Sequence, residues 1–181
     1  TCTATLGGIH TITGTSSGKS ATATLGVNFV KNFGFETDST GWNTSGSGTG
    51  ITLSRIAGGH SGGWAALLSN GNTTNQSCVL NDSPDWTKPT VAGSYTGRVW
   101  VKADRAGAPL KLRLREYTNN GATLVGTAQT QVALTTSWQQ IAVTYTITSP
   151  GSSLDFNAYL SSADALPGAC FYADDAEIYK N

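Results

Sequence analysis

The last strand-like segment of the chain contains two adjacent carboxylates, Asp174 and Asp175, in a run that otherwise has the pattern of a half-buried strand. Successive side chains of a strand point to opposite faces, so Asp174 is expected to share a face with Tyr172 and Ile178. One acid of the pair should therefore point toward apolar neighbours. A lone buried carboxylate costs several kcal/mol unless a cation or strong donors compensate it, so we expect a positive group near Asp174. A bound calcium ion is the candidate.

Calcium takes hard oxygen ligands, which can come from segments that are far apart in sequence. Oxygens of this kind are available from three such segments: Glu36, the turn at His60-Ser61-Gly62, and Asp174. Binding of one ion by all three would bring the beginning and the end of the main domain together. The alternative is that Glu36 and Asp174 accept backbone hydrogen bonds or pair with Lys31 or Arg55.

Three further strand-like segments carry side chains that are suited to binding. In 98–103, 110–117 and 154–160 the aliphatic residues occupy every second position and are expected to face the core. The alternate, outward positions carry a mixture of aromatic, charged and amide side chains: Arg98, Trp100, Lys102, Lys111, Arg113, Arg115, Tyr117, Asp155, Asn157 and Tyr159. If the three segments share one sheet, its free surface presents all of these groups together.

This mixture matches the chemistry of a sugar. A sugar ring offers an apolar C–H face that packs on an aromatic ring, and a fringe of hydroxyls that needs oriented donors and acceptors. A cluster of exposed aromatic side chains on one face usually marks a contact surface. The alternative is that loops cover this face, or that the aromatic residues pair across strands, which is an ordinary source of sheet stability.

The outward set contains five of the eleven Lys and Arg residues of a chain that has no formal net charge. These cations would suit a uronic-acid polymer through charge-assisted contacts. A solvated basic surface is the other explanation. A neutral β-glucan or xylan-like chain is therefore the first expectation for a ligand, and an acidic glycan such as alginate or pectin is the second.

The composition restricts the classes of function. The 181 residues fit one domain with a short appendage, charged residues make up 12%, and Lys plus Arg equal Asp plus Glu at 11 each. This balance does not fit a nucleic-acid-binding protein. No apolar run is long enough to span a bilayer, and the first residues lack the pattern of a signal peptide, so we expect a mature, soluble chain without a membrane partner.

Strand patterns recur at short spacing between clusters of Gly, Asn, Pro and Ser, whereas Gly or a β-branched pair interrupts nearly every helical pattern. Eleven strands are predicted: 10–15, 21–27, 51–56, 65–68, 77–80, 95–103, 110–117, 127–134, 139–147, 154–160 and 171–179. The sequence therefore predicts an all-β sandwich.

The three cysteines give an odd count, and Cys2 lies far in sequence from Cys78 and Cys170. A single disulfide between Cys78 and Cys170, with Cys2 left over, is the economical interpretation, while three reduced thiols in a cytosolic protein are the alternative. A disulfide that closes a loop of this length stabilises by ~4 kcal/mol. The absence of Met and the richness in Thr, Ser and Gly favour export, so we expect a secreted, extracellular protein.

A change in composition near residues 26–28 divides the chain. Before it, 8–15 and 20–27 have the pattern of a β-hairpin, and this pair is similar to the closing two strands of bacterial immunoglobulin-like repeats. Two strands alone cannot bury their inner face. Residues 1–27 are therefore predicted to be either the remnant of a neighbouring domain or a hairpin docked on the main domain, which spans 28–181.

From Asn28 onward the chain resembles carbohydrate-binding modules of the family 4/9 and 22 type. The resemblance depends on six segments that occur in the order of that family: NFVKNFGFE at 28–36, GW at 41–42, GHSGGW at 59–64, WVKA at 100–103, WQQ at 138–140 and FYADD at 171–175. It implies a galactose-binding-like jelly-roll β-sandwich and a non-catalytic, sugar-binding role beside a secreted polysaccharide-degrading enzyme. We expect the chain to be a monomer. The resemblance also implies a structural calcium ion, whose usual protein ligands match Glu36 and Asp174.

Two other classes of function are open. A glycosidase or lyase would need two facing carboxylates, yet only three Glu are present, and Asp155 is the one acid on the predicted ligand face. Glu116 has the phase of the core-facing leucines and is expected at a strand end with an Arg partner. We therefore expect no enzyme activity. A structural or adhesive module of a cell-surface protein is the other class, and it predicts a covered or featureless sheet face.

Overall fold

The computed structural model describes residues 8–118 and 120–181, and Cys2 lies outside them. This part of the chain contains twelve β-strands and no α-helix. The strands are β1 (Gly8–Ser16), β2 (Lys19–Val27), β3 (Trp42–Asn43), β4 (Ile51–Ala57), β5 (Trp64–Asn70), β6 (Cys78–Asp82), β7 (Ser94–Lys102), β8 (Pro109–Tyr117), β9 (Leu124–Ala133), β10 (Gln139–Thr146), β11 (Ser153–Leu160) and β12 (Gly168–Lys180). Accordingly, the described residues include no helix that could cross a membrane.

All eleven strands predicted from the sequence are present, with ends that differ by a few residues. The strand that the patterns miss is β3, because two residues are too few to show an alternation.

Ten of the described strands form two five-stranded sheets, which pack face to face as the predicted sandwich. We call the sheet with the order β3-β6-β11-β8-β9 the front sheet, and the sheet with the order β10-β7-β12-β5-β4 the back sheet. The predicted N-terminal hairpin is also present, as β1 paired with β2. The disulfide between Cys78 and Cys170 is confirmed, and it joins β6 of the front sheet to β12 of the back sheet.

The core lies between the two sheets and is built mainly from alternate residues of their central strands. Val99 and Val101 of β7, Leu112 and Leu114 of β8, and Phe156 of β11 are all completely buried. The inward and outward phases predicted for these three strands are therefore confirmed.

The expectation that these three strands share one sheet is wrong for β7. β8 and β11 are neighbours in the front sheet, but β7 lies in the back sheet between β10 and β12. The alternation of apolar residues determines which side chains of a strand face the core. It does not determine which other strands pair with that strand. Arg98, Trp100 and Lys102 therefore lie on the outer face of the back sheet, on the opposite side of the sandwich from Tyr117 and Tyr159.

The prediction of an arginine partner for Glu116 is also wrong. Glu116 is fully buried near the end of β8, and its carboxylate accepts hydrogen bonds from Tyr145, Thr148, Ser149 and Ser152. Its inward phase places it between the sheets, away from the arginines of β8, which all face outward.

Candidate functional site

The two carboxylates of β12 lie at a β-bulge. Between Asp174 and Glu177 the register shifts, and β12 uses one residue more than β7. Asp175 accommodates the extra residue with a φ of 47°, a left-handed conformation that Asp tolerates better than most residues. The bulge turns Ile178 into the core, so Asp174 and Ile178 do not share a face as the sequence predicted.

Asp174 is fully buried. It lies beneath a loop on the outer side of the back sheet and not in the core between the two sheets. Asp174 pairs with Trp100, whose side chain lies on the outer face of the back sheet. The loop between β4 and β5 covers the carboxylate of Asp174. Its Oδ2 accepts hydrogen bonds from the backbone N–H of His60 (2.7 Å) and of Ser61 (3.2 Å), and its Oδ1 accepts one from the N–H of Asp175 (2.8 Å). Burial raises the pKa of Asp174 to about 6 in spite of these donors.

Asp175 and Glu36 hold the same loop. Asp175 Oδ2 is hydrogen-bonded to His60 Nδ1 at 2.7 Å, and its Oδ1 accepts a hydrogen bond from Ser61 Oγ at 2.7 Å. The carboxylate of Glu36 accepts hydrogen bonds from the backbone N–H of Gly63 and of the next residue, each at 3.1 Å. The three segments that the sequence predicts as calcium ligands therefore meet at this loop.

The chemistry of this cluster fits a hard cation such as calcium. A Cβ atom built on Gly59 would lie 2.3 Å from the carbonyl oxygen of Trp64, 2.6 Å from that of Ser61 and 2.8 Å from Asp174 Oδ2, so three oxygens border the same small space. Carbonyl and carboxylate oxygens are the ligands that Ca²⁺ takes in proteins. The acids also accept backbone N–H groups, as the alternative interpretation expected, whereas Arg55 donates to backbone carbonyl oxygens.

The outer face of the back sheet carries Arg98, Trp100 and Lys102. The indole of Trp100 stacks on the imidazole of His60, with ring centres 3.7 Å apart and 13° between the planes. The Nζ of Lys102 lies 4.7 Å from the ring centre of Trp138, and Arg98 forms an ion pair with an acid of β12. These side chains are therefore engaged with other parts of the protein.

The outer face of the front sheet carries the remaining residues predicted to bind a ligand. They come from two adjacent strands, β8 and β11, and are Lys111 together with the six residues Arg113, Arg115, Tyr117, Asp155, Asn157 and Tyr159. Arg115 Nε lies 2.8 Å from Asp155 Oδ2, and Arg113 donates a hydrogen bond of 2.8 Å to Asn157 Oδ1. The guanidinium of Arg113 also lies 4.7 Å from the ring centre of Tyr159. The structure thus brings these six residues together.

Asp155 and Asn157 are only 5% and 0% exposed, although they point outward. They bond to the two arginines beside them, and Asn157 also donates to Asn81 of β6. Burial raises the pKa of Asp155, while the charge of Arg115 acts in the opposite direction. A ligand on this face would therefore meet the arginines first, and Asp155 and Asn157 would position them.

β9 also contributes to this face, which was not predicted from the sequence. Gln129 pairs with Arg113 and Gln131 pairs with Lys111, so both amides lie on the same outer face, and both are exposed. The hydroxyl of Tyr159 donates a hydrogen bond to Gln129 Oε1 at 3.2 Å. The alternation of these glutamines is visible in the sequence, but the position of β9 beside β8 is not.

A group of three acids borders the front face near β6. Among the described residues, Asp82, Asp85 and Asp155 are the one set of three His, Cys, Asp or Glu side chains whose ligand atoms lie within 4.8 Å of one another. Burial raises the pKa of Asp82 well above its ordinary range, and the charges of Asp155 and Asp85 raise it further. Asp82 accepts hydrogen bonds from the backbone N–H of Phe156 (2.8 Å) and of Trp86 (3.3 Å), so it connects β11 to the segment after β6.

Comparison with known proteins gives a family and a set of similar folds. A family model described as carbohydrate binding domain matches residues 27–165. No curated protein sequence gives a match. Among solved structures, the chain is similar to a CBM61 module in complex with beta-1,4-galactotriose, with 19% identity and a TM-score of 0.60 over 85% of this chain and 99% of that chain.

Two other similar structures contain CBM22-1 modules. The CBM22-1 xylan-binding domain of Xyn10C from Paenibacillus barcinonensis is 20% identical, with a TM-score of 0.58 over 82% of this chain and 91% of that chain. The CBM22-1-GH10 modules of endo-1,4-beta-D-xylanase 10B from Clostridium thermocellum, complexed with xylohexaose, are 16% identical, with a TM-score of 0.60 over 82% of this chain and 28% of that chain. At these identities the similarity shows the fold, and the predicted jelly roll is confirmed.

Proposed function

Because the chain belongs to the carbohydrate-binding domain family, we propose that the outer face of its front sheet binds a polysaccharide. One observation carries this assignment: Tyr159 of β11 contacts both Arg113 of β8 and Gln129 of β9, and the amides that β9 contributes to this face are exposed. An aromatic ring, a guanidinium and amides within one surface serve both the apolar face and the hydroxyls of a sugar.

The front face supports this role better than the back face. On the back face, His60 occupies one side of the Trp100 ring, and Asp175 and the backbone contacts of the loop hold His60 in place. On the front face, flexible Lys and Arg side chains lie over Tyr159, and these can move aside or contact a ligand themselves.

The proposal includes a non-catalytic role beside a secreted polysaccharide-degrading enzyme. The similarity to a xylanase in which a CBM22-1 module accompanies a GH10 module supports such an attachment. The disulfide supports an oxidising compartment, as expected for a secreted protein. On the front face Asp155 is bound to Arg115 and Asp82 is bound to backbone N–H groups, which favours binding over hydrolysis by a pair of free carboxylates.

The proposal also includes a structural calcium ion at the loop between β4 and β5. Glu36 and Asp174 would hold it together with the carbonyl oxygens that border Gly59. The burial of Asp174 supports a cation there, because a positive charge would offset the cost of burying an ionised carboxylate. The ion would supply that charge, and the protein would gain a connection between β12 and the loop.

Affinity electrophoresis in gels that contain xylan, β-glucan, galactan, pectin or alginate tests the proposed face. The wild-type chain is expected to be retarded by at least one glycan, and Tyr159→Ala is expected to abolish the retardation because it removes the central ring. Tyr172→Ala is the matched control, since Tyr172 is a half-buried tyrosine of the back face with Lys102 Nζ 5.1 Å from its ring centre.

Three results would contradict the proposal. Retardation that is lost in Trp100→Ala and kept in Tyr159→Ala would move the site to the back face. No retardation on any glycan would favour the adhesive module. Release of reducing ends from the bound glycan would contradict the non-catalytic role.

A further inference from the structure

Three cations lie in a row on the outer face of β8. Lys111, Arg113 and Arg115 occupy every second position of the strand, so their Cα atoms are spaced by about 7 Å along the face. Leu112 and Leu114, which lie between them, are completely buried, and this fixes the outward direction of all three cations.

One of the three cations has a carboxylate partner among the described residues. Arg115 pairs with Asp155 at 2.8 Å. Arg113 donates to the oxygen of Asn157, which is a neutral amide, and its Nε has no hydrogen-bond partner. Lys111 forms none of the ion pairs found in the described part of the chain. The row therefore carries more positive charge than its surroundings neutralise.

The guanidinium of Arg113 is partly buried beside a charge of the same sign. Burial lowers its pKa, and the like charge of Arg115 lowers it further, against smaller opposing effects of Tyr159 and Asp155. An anion on this face would reverse that balance, because it would stabilise the charged guanidinium and accept its hydrogen bonds.

The aromatic rings of this face are covered by the same cations. Arg113 lies 4.7 Å and Lys111 5.8 Å from the ring centre of Tyr159, and Arg115 lies 5.2 Å from that of Tyr117. A neutral sugar packs its C–H face on a bare ring, so these cations would have to move before it could bind. A ligand that carries oxyanions would meet the cations directly, and the exposed amides of β9 would be available for its hydroxyls.

We propose that the row of Lys111, Arg113 and Arg115 binds an acidic polysaccharide whose carboxylate or sulfate groups repeat along the chain. This inference rests on the proposed function of the front face, and it reverses the order of ligands expected from the sequence, in which a neutral chain came first. The arginines offer planar forks that bind oxyanions through two hydrogen bonds, and the lysine offers a point charge. Since the chain has a formal net charge of +0, the attraction comes from this row and not from the protein as a whole.

Affinity electrophoresis with matched pairs of polymers tests the inference. Polygalacturonate is compared with highly methyl-esterified pectin, which lacks most of the carboxylate charge, and dextran sulfate is compared with dextran. We expect binding to at least one charged polymer that is about tenfold or more tighter than binding to its neutral partner. Binding to polygalacturonate alone would identify carboxylates as the recognised groups, and binding to dextran sulfate alone would identify sulfates.

Variants and salt provide the second part of the test. Arg113→Gln and Lys111→Gln are each expected to weaken binding to the charged polymer by about tenfold. Arg105→Gln, which changes an exposed cation between β7 and β8, should leave it unaltered. Binding should also weaken between about 0.1 M and 1 M NaCl, because the Debye length falls from about 10 Å to about 3 Å. Unfolding midpoints in urea show that the variants are folded.

The outcomes separate this inference from the proposed function. Equal binding to charged and neutral partners, or binding that neither salt nor the two substitutions weaken, overturns the inference. If xylan or β-glucan is then still bound through Tyr159, the proposed function stands without it. No binding to any polymer, charged or neutral, overturns both.

Discussion

The carboxylate of Glu116 is buried between the sheets and takes part in no ion pair among residues 8–118 and 120–181. Five hydrogen bonds reach it, from the hydroxyls of Tyr145, Thr148 and Ser152 and from the backbone N–H groups of Thr148 and Ser149. Burial by itself raises the pKa of this group, but the donors outweigh burial and lower the pKa to about 2. Glu116 therefore stays ionised in the folded protein, and it connects β8 to β10 and to the turn that follows β10.

The free energy of unfolding should consequently depend on Glu116 at acid pH. It is expected to fall as the pH is lowered from 4.5 to about 2, because the unfolded chain binds a proton at Glu116 before the folded chain does. Glu116→Gln should flatten this part of the profile and should cost on the order of 3 kcal/mol near neutral pH, since buried donors would lose their acceptor. Urea unfolding at a series of pH values measures both effects.

The matched control for this prediction is Glu177→Gln, which changes a glutamate on the outer face of the back sheet. It should cost less stability near neutral pH than Glu116→Gln, because the partly exposed ion pair that it removes contributes little. If Glu116→Gln and the wild type had the same slope between pH 4.5 and about 2, the role given to Glu116 would be wrong.

At the scale of elements, β7 shows which part of the fold a local pattern determines. Its alternation correctly predicts that Val99 and Val101 face the core and that Trp100 faces outward. The sheet to which β7 belongs is determined by its hydrogen bonds to β10 and β12. These strands lie far along the chain, so the sequence around β7 carries no signal for the pairing. The residues of β8 and β11 could be grouped correctly because these two strands are neighbours, whereas the same argument put Trp100 on the wrong sheet.

The bulge of β12 is a second feature that the alternation of residues does not predict. The sequence indicates that Asp174 is buried, and this is confirmed. The extra residue at Asp175 changes the phase of the strand, so a strict alternation fails for Ile178. The loop that covers Asp174 comes from a distant part of the chain, and its meeting with Glu36 and Asp174 was expected from the ligand chemistry of calcium and from the family resemblance, because the strand pattern carries no signal for it.

If calcium binds at this loop, it should stabilise the whole sandwich, because it would be bound by the folded state alone. At a concentration of 100 times its dissociation constant the gain is about 2.7 kcal/mol, which corresponds to a rise in melting temperature of roughly 5 to 10 °C for a domain of this size. Differential scanning calorimetry of protein treated with chelator, before and after addition of millimolar CaCl₂, measures the rise.

Glu36→Gln should remove most of this rise, since it replaces a carboxylate ligand with a weaker one. Asp38→Asn is the matched control, because Asp38 is an exposed acid of the same segment that accepts hydrogen bonds from Thr40 and Asn32. A melting temperature that calcium leaves unchanged in the wild type would refute the calcium site, and an equal rise in Glu36→Gln would show that the ion binds elsewhere.

At the scale of the whole molecule, the described chain consists of a sandwich and a hairpin that shares no sheet with it. Asn28 marks the beginning of the sandwich. Its Nδ2 donates to the carbonyl oxygen of Ala176, and its Oδ1 accepts hydrogen bonds from the N–H groups of Val30 and Ile178. These contacts fasten the chain to β12 directly after β2 ends. They support the domain boundary predicted between residues 27 and 28, which stays a prediction.

A chain that begins at residue 27 is therefore expected to unfold cooperatively, with a free energy within about 0.5 kcal/mol of that of the full chain, and to keep its retardation by glycan. Asn28→Ala in the full chain should instead cost about 1 to 3 kcal/mol, because it leaves buried backbone groups of β12 without a partner. Urea unfolding and affinity electrophoresis of both proteins make the comparison. A loss of more than about 2 kcal/mol on removal of the hairpin would show that its strands are docked on the sandwich and help to stabilise it.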